Sequence, residues 1–251
     1  MGRAALLAAG LAACGPDRAP PPAPVEDPTE AWGRRLAEVV SENGEVDYAA
    51  LRADPTALRD FVGWVAVHGP ETDGWRLSDD NLRLAWHLNV VNALVLWSVV
   101  EGAPLAGTPE RPFPRTRLLV DGDPLPLDRY VTHLVLATYE EPLAVAALGC
   151  AARACPPVPD ALFTKKGLDA ALADQMTRWL ASGRLLRGDG TTFAFSPALR
   201  PWMPLFRRWT GADTPCAVVA PYAQPPLRER LEAPTCAWTW DAWDGALDGS
   251  L

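Results

Sequence analysis

Two cysteines separated by four residues, Cys150 and Cys155, are the side chains best placed to do covalent chemistry. A nucleophilic thiol would serve a hydrolase or a group transferase, but it needs a base within hydrogen-bond reach. His68, His87 and His133 are the histidines that could supply this base. His87 is the best of them because it lies on the predicted central helix, beside Asn89. The catalytic candidates are therefore Cys155 or Cys150 as nucleophile, with His87 or His133 as base.

The same thiols are also candidates for a structural role. Once Cys14 is set aside as a lipidation site, for the reasons given below, the even number that remains in an exported chain favours disulfides. Four cysteines allow three connectivities, and we favour pairing of sequence neighbours, Cys150 with Cys155 and Cys216 with Cys236. A four-cysteine zinc site is the competing interpretation, but the spacings lack the paired knuckles of such sites. We predict neither a metal nor a cofactor.

Two amides belong to the predicted central helix, the most apolar segment of the chain. Asn89 and Asn92 follow Ala85 at helical spacing, so they share one helix face and point into the domain. Buried amides must find hydrogen-bond partners. The pair is predicted to hold a neighbouring loop, and a binding role for Asn89 and Asn92 is the alternative. A lone histidine such as His87 on an apolar helix is, by the same argument, more often a core residue than a catalytic one.

The N-terminus indicates where the protein works. Arg3 is followed by about ten small or apolar residues that end at Cys14, which has the dimensions of a bacterial lipoprotein signal and is too short to span a bilayer. We expect residues 1–13 to be the signal peptide and Cys14 to carry the lipid. Residues 14–28 are a proline-rich linker. Because Gly15 is not the aspartate that often signals inner-membrane retention, we expect an outer-membrane lipoprotein of the cell envelope that faces the periplasm.

The remaining residues, 29–251, are predicted to form one α+β domain that has a buried central helix and a small sheet. The central helix is apolar on nearly every side, and the residues before it are capping residues. The pair Asp121 and Gly122 predicts a hairpin turn. The predicted elements are a helix from Thr29, a helical segment at 54–65, the central helix at 82–100, a hairpin at 117–125, a helix at 128–138, a buried strand at 143–148, a helix at 168–180 and a strand at 191–195.

The charge of the chain excludes one class of partner. The formal net charge is −8 and the basic clusters are short, which is atypical of a protein that neutralises nucleic-acid phosphates. We therefore predict no nucleic-acid partner. The expected partners are the membrane, reached through the N-terminal lipid, and an unidentified envelope protein or small ligand.

Several blocks of the sequence resemble the family catalogued as domain of unknown function 547. They occur in the family's order and extend from residue 46 to residue 248. The blocks are residues 46–51 (VDYAAL), 85–93 (AWHLNVVNA), 125–128 (LPLD), 150–157 (CAARACPP) and 243–248 (WDGALD). In the second block both asparagines of the family pattern are present, and in the fourth both cysteines. The resemblance implies a shared fold, but it names no substrate.

The departures from that family bear on function. The family pattern has a histidine at the positions that Thr132 and Val145 occupy here. His133 is one residue away from the first of these, and one residue on a helix is a rotation of about 100°. A noncatalytic binding or scaffolding module is therefore our first functional interpretation. A thiol-dependent hydrolase or transferase is the alternative.

Overall fold

The computed structural model describes residues 22–74, 76–102, 107–113, 116–188 and 192–250. The predicted signal peptide, Cys14 and the first part of the linker lie outside these ranges. The described helices and strands from Thr29 onward share one hydrophobic core.

The centre of this core is helix α4, Asp80–Val100. Its N-cap is Asp79, whose carboxylate accepts a hydrogen bond from the Leu82 amide at 3.2 Å, and the chain leaves the helix through Gly102 at a φ of +69°. This confirms the predicted central helix. By length and composition α4 could cross a membrane, but 72% of its most apolar window is buried inside the domain, as expected of a core helix.

Three short helices precede α4; the second and third pack against it, and the first packs on those two. They are α1 (Thr29–Val39), α2 (Tyr48–Ala53) and α3 (Thr56–Val65). The apolar positions of α1, Trp32, Leu36 and Val39, are buried, as their helical spacing predicts. Strand β1 (Val46–Asp47) leads directly into α2, and the carboxylate of Asp47 caps that helix.

The predicted hairpin is present as strands β2 (Arg117–Val120) and β3 (Asp123–Pro126). Asp121 and Gly122 form its turn with φ values of +53° and +88°, the left-handed conformation that a tight hairpin requires. The following helix was expected at 128–138. It starts as the short helix α5 (Leu127–Arg129) and continues as a π-helix over Tyr130–Leu136.

The prediction of a strand at residues 143–148 is wrong. The structure has a 3₁₀ helix over Pro142–Ala147, capped by the Glu141 carboxylate, which accepts from the Leu143 amide at 2.8 Å. An apolar run that is buried on all sides has no periodicity to separate strand from helix. Here a proline in the first turn and several alanines favour the helical form, and the alanines let it pack closely on the following helix.

The C-terminal half begins with the predicted helix, α6 (Leu168–Ala181). Strands β4 (Leu186–Arg187) and β5 (Phe193–Phe195) are antiparallel, and β6 (Trp238–Trp240) pairs with β5 in parallel. The segment between β5 and β6 is helical. It contains a 3₁₀ helix (Pro197–Trp202), α7 (Met203–Thr210), α8 (Pro215–Val219), a 3₁₀ turn (Ala220–Tyr222) and α9 (Leu227–Glu232).

The last strand, β7 (Gly249–Ser250), returns to the N-terminal part of the domain and pairs in parallel with β1. Gly249 makes this pairing possible, because a Cβ atom at that position would overlap the backbone of Val46. The small sheets thus lie at the edges of a helical core. The structure confirms the α+β fold class and the buried central helix.

Candidate functional site

Cys150 and Cys155 are joined in a disulfide whose Cα atoms are 5.8 Å apart. Both residues are buried, at 3% and 2% exposure. The loop between them is held by the C-terminal segment, because the Arg153 amide donates to the Ala246 carbonyl at 2.9 Å and the Ala154 amide to that of Asp244 at 3.0 Å. The two sulfurs therefore belong to a rigid, closed loop rather than to an accessible thiol.

The space beside this disulfide is small. A cavity of about 10 Å³ lies against Cys155, Pro156 and Trp179. A single water needs roughly 10–15 Å³ of such volume. No acyl or amide substrate fits there.

His87, the best candidate for a base, is engaged elsewhere. Its Nδ1 and the hydroxyl of Tyr130 are hydrogen-bonded at 2.6 Å, and its ring packs against Trp86 and Tyr139. Burial lowers the pKa of His87 to about 4, so the imidazole is neutral at neutral pH. A base whose pKa is this far below the working pH is a weak proton acceptor.

His133 is exposed on the π-helix. Among the residues that the structure describes, no histidine is hydrogen-bonded to a cysteine sulfur. The structure does not bring the predicted nucleophiles and bases together as a thiol–imidazole pair. Within the described ranges, no group of three or more His, Cys, Asp or Glu side chains is arranged to hold a metal ion.

Asn89 and Asn92 both clamp loops to the central helix. Asn89 donates to the Phe163 carbonyl at 2.9 Å and accepts from the Phe163 amide at 2.8 Å. Asn92, which is 4% exposed, donates to the Ala147 carbonyl at 2.8 Å and accepts from the Gly149 amide at 2.9 Å. Each side-chain amide thus supplies the hydrogen-bond partners that a neighbouring strand would give to the backbone of the loop it contacts.

Replacing Asn92 with leucine tests this structural role. The Ala147 carbonyl and the Gly149 amide would lose their buried partner, which costs on the order of 1–3 kcal/mol of unfolding free energy. Denaturant unfolding measures the loss, and Asn81→Leu at an exposed position of the same helix is the matched control. Equal stability of the two variants would contradict the clamp.

A second buried polar pair was not foreseen from the sequence. The hydroxyl of Tyr48 donates to Asp248 Oδ1 at 2.8 Å, and neither side chain is more than 1% exposed. Asp248 Oδ2 is buried and has no hydrogen-bond partner in the described residues. Burial raises the pKa of the Asp248 carboxyl, and the charge of Glu45 raises it further.

Next to this pair the structure has a groove of about 460 Å³. We call it the Arg153 groove and define it by β1, β7, the end of α1 and the side chain of Arg153. Its polar lining residues are Glu38, Ser41, Glu45, Asp47, Arg153, Asp248 and Ser250. Its volume lies in the range of about 300–1,000 Å³ typical of small-ligand pockets.

The sequence held one signal for this groove. Three of the blocks quoted above for the family resemblance, residues 46–51, 150–157 and 243–248, meet at it. The sequence alone did not show that these blocks meet, because they are far apart along the chain: Val46 pairs with a residue that follows it by more than 200 positions. Arg153 and Asp248 were therefore missed as site residues.

Comparison with protein-family models, curated proteins and solved structures found no match. The resemblance to domain of unknown function 547 stays a prediction from the quoted blocks.

Proposed function

We propose that the chain is a membrane-tethered envelope lipoprotein whose domain, similar to domain of unknown function 547, is a noncatalytic binding or scaffolding module. The observation that carries this proposal is the buried Cys150–Cys155 disulfide. Thiol catalysis needs a thiolate, and a sulfur bonded to another sulfur has none. The small cavity at Cys155 and the engagement of His87 with Tyr130 support the same conclusion.

A thiol-labelling experiment tests the noncatalytic role. Native, non-reduced protein treated with iodoacetamide is expected to carry no label on the four cysteines after Cys14, because the disulfides leave no thiol to alkylate. Mass spectrometry reads the label, and the same protein after reduction and unfolding is the positive control. Stoichiometric alkylation of Cys155, with matching loss of hydrolysis of an ester or amide, would favour the thiol-dependent enzyme instead.

The tether is tested separately. Cys14→Ser is expected to move the protein from the outer-membrane fraction to the soluble periplasmic fraction, because a chain with a net charge of −8 is not attracted to anionic lipid by its overall charge. Gly15→Ser, which keeps the cysteine, is the matched control and should still sediment with membranes. Sedimentation of the Cys14→Ser protein would mean that something other than this lipid tethers it.

A further inference from the structure

The Arg153 groove presents one cation, Arg153, that no group among the described residues neutralises. The backbone of Arg153 is fixed within the disulfide loop by its amide, which donates to the Ala246 carbonyl at 2.9 Å. Its guanidinium is exposed and makes no ion pair or hydrogen bond with the part of the chain that the structure describes. A guanidinium suits a carboxylate, which it binds through two parallel N–H donors.

The groove also presents one available anion. Of its exposed acidic residues, Glu38 pairs with Arg35 at 2.9 Å, and Asp47 caps α2 by accepting from the Ala50 amide at 2.8 Å. Glu45 is different, because only its backbone is engaged: its amide donates to Ser41 Oγ at 3.1 Å, and its carbonyl accepts from the Ser41 amide at 2.9 Å. Within the described residues its carboxylate has no partner.

The base of the groove adds a polar atom that still needs a partner. Asp248 lines the groove at 1% exposure; its Oδ1 accepts from Tyr48, whereas its Oδ2 has no hydrogen-bond partner within the described residues. Buried polar oxygens without a partner are rare in folded proteins and call for an explanation. A donor on a bound molecule would satisfy this one. The adjoining strand β7 also lies at an edge of its two-stranded sheet, the kind of position to which an extended ligand can add as a further strand.

We propose that the Arg153 groove binds a short peptide with free termini, its carboxylate on Arg153 and its ammonium on Glu45. The opposite charges and the ligand-sized volume match a zwitterion better than a simple anion or cation. This inference rests on the proposed function, since it assumes that the domain binds a ligand without transforming it.

Calorimetric titration of the full domain with trialanine tests the proposal. Trialanine amide lacks the terminal carboxylate, and its affinity should be about tenfold lower because the charge-assisted bonds to Arg153 are lost. N-acetyl trialanine lacks the ammonium, and a loss of about threefold is expected for the more exposed pair with Glu45. These peptides probe the wild-type protein, so this part of the test needs no variant.

The variants then assign each end of the peptide. Arg153→Gln should weaken trialanine about tenfold and should make amidation of the peptide irrelevant, because both changes remove the same interaction. Glu45→Gln should behave in the same way toward acetylation. Arg200→Gln, at an exposed arginine outside the groove, is the matched control and should bind as the wild type does.

The outcomes separate this inference from the proposed function. The ligand assignment is overturned if millimolar trialanine shows no saturable binding. It is also overturned if amidation of the peptide lowers the affinity equally for the wild type and for Arg153→Gln. Mass spectrometry of the recovered peptide should show it intact. Cleaved peptide would overturn the noncatalytic function, while the dependence on Arg153 would still support the ligand assignment.

Discussion

Acidification from pH 7 to pH 4 is expected to lower the free energy of unfolding by about 3 kcal/mol through His87 alone. The pKa of His87 is lowered to about 4 in the folded protein by burial, against about 6.5 in the unfolded chain. Between these values the unfolded chain binds more protons than the folded protein does. Stability due to His87 is therefore fully present above pH 6.5 and is lost as the pH falls toward 4.

The measurement is denaturant unfolding at a series of pH values, for the wild type and for His87→Gln. Glutamine removes the titration and can still accept a hydrogen bond from the Tyr130 hydroxyl. The pH-dependent difference between the two proteins should be about 3 kcal/mol over this range. His133→Gln, at an exposed histidine, is the matched control and should follow the wild type.

Using a difference is necessary because Asp248 acts in the opposite direction. Its pKa is raised by burial, so its contribution grows as the pH falls through its folded pKa toward the unfolded value. This term is common to the wild type and to His87→Gln, and it cancels when they are subtracted. Parallel pH profiles of the two proteins would show that the pKa of His87 is the same in the folded and unfolded states, which would contradict its burial against Tyr130.

The sequence predicted those elements whose ends are marked by capping or turn residues. The central helix has a capping residue, Asp79, and a glycine at its end, and the hairpin has the Asp121–Gly122 turn, so each was predictable from short-range physics. The 3₁₀ helix over Pro142–Ala147 was not. All its residues but Leu143 are buried, and such burial removes the alternation of apolar and polar residues that would mark a strand or a helix.

Some residues of the candidate site were likewise predictable from local sequence, and others were not. The two asparagines were predicted to be buried and hydrogen-bonded because helical spacing puts them on one face, and the structure gives them the loop partners that this role requires. The Tyr48–Asp248 pair and the Arg153 groove depend on a contact between the two ends of the domain. Such contacts have no local signature, since strand pairing across the whole chain is decided by the tertiary fold.

The second disulfide joins α8 to the segment that leads into β6. The structure pairs Cys216 with Cys236, with Cα atoms 6.6 Å apart and a separation of 20 residues in sequence. In the chain-entropy model a loop of this length contributes about 3 kcal/mol of stability by restricting the unfolded chain. The loop of the Cys150–Cys155 bridge is much shorter, with a separation of 5 residues, and by the same model it contributes about 2 kcal/mol.

The double variant Cys216→Ala/Cys236→Ala is therefore expected to unfold with about 3 kcal/mol less free energy than the wild type. The loss should be larger than that of a Cys150→Ala/Cys155→Ala variant, which serves as the control for the removal of sulfur atoms. The loss of stability should first affect the region around β6, because this strand begins two residues after Cys236 and pairs with β5 at the sheet edge. Hydrogen exchange should then be fastest over 233–240, while α4 keeps its protection. Uniform loss of protection across both regions would mean that the bridge stabilises the domain as a whole and does not anchor its C-terminal strand.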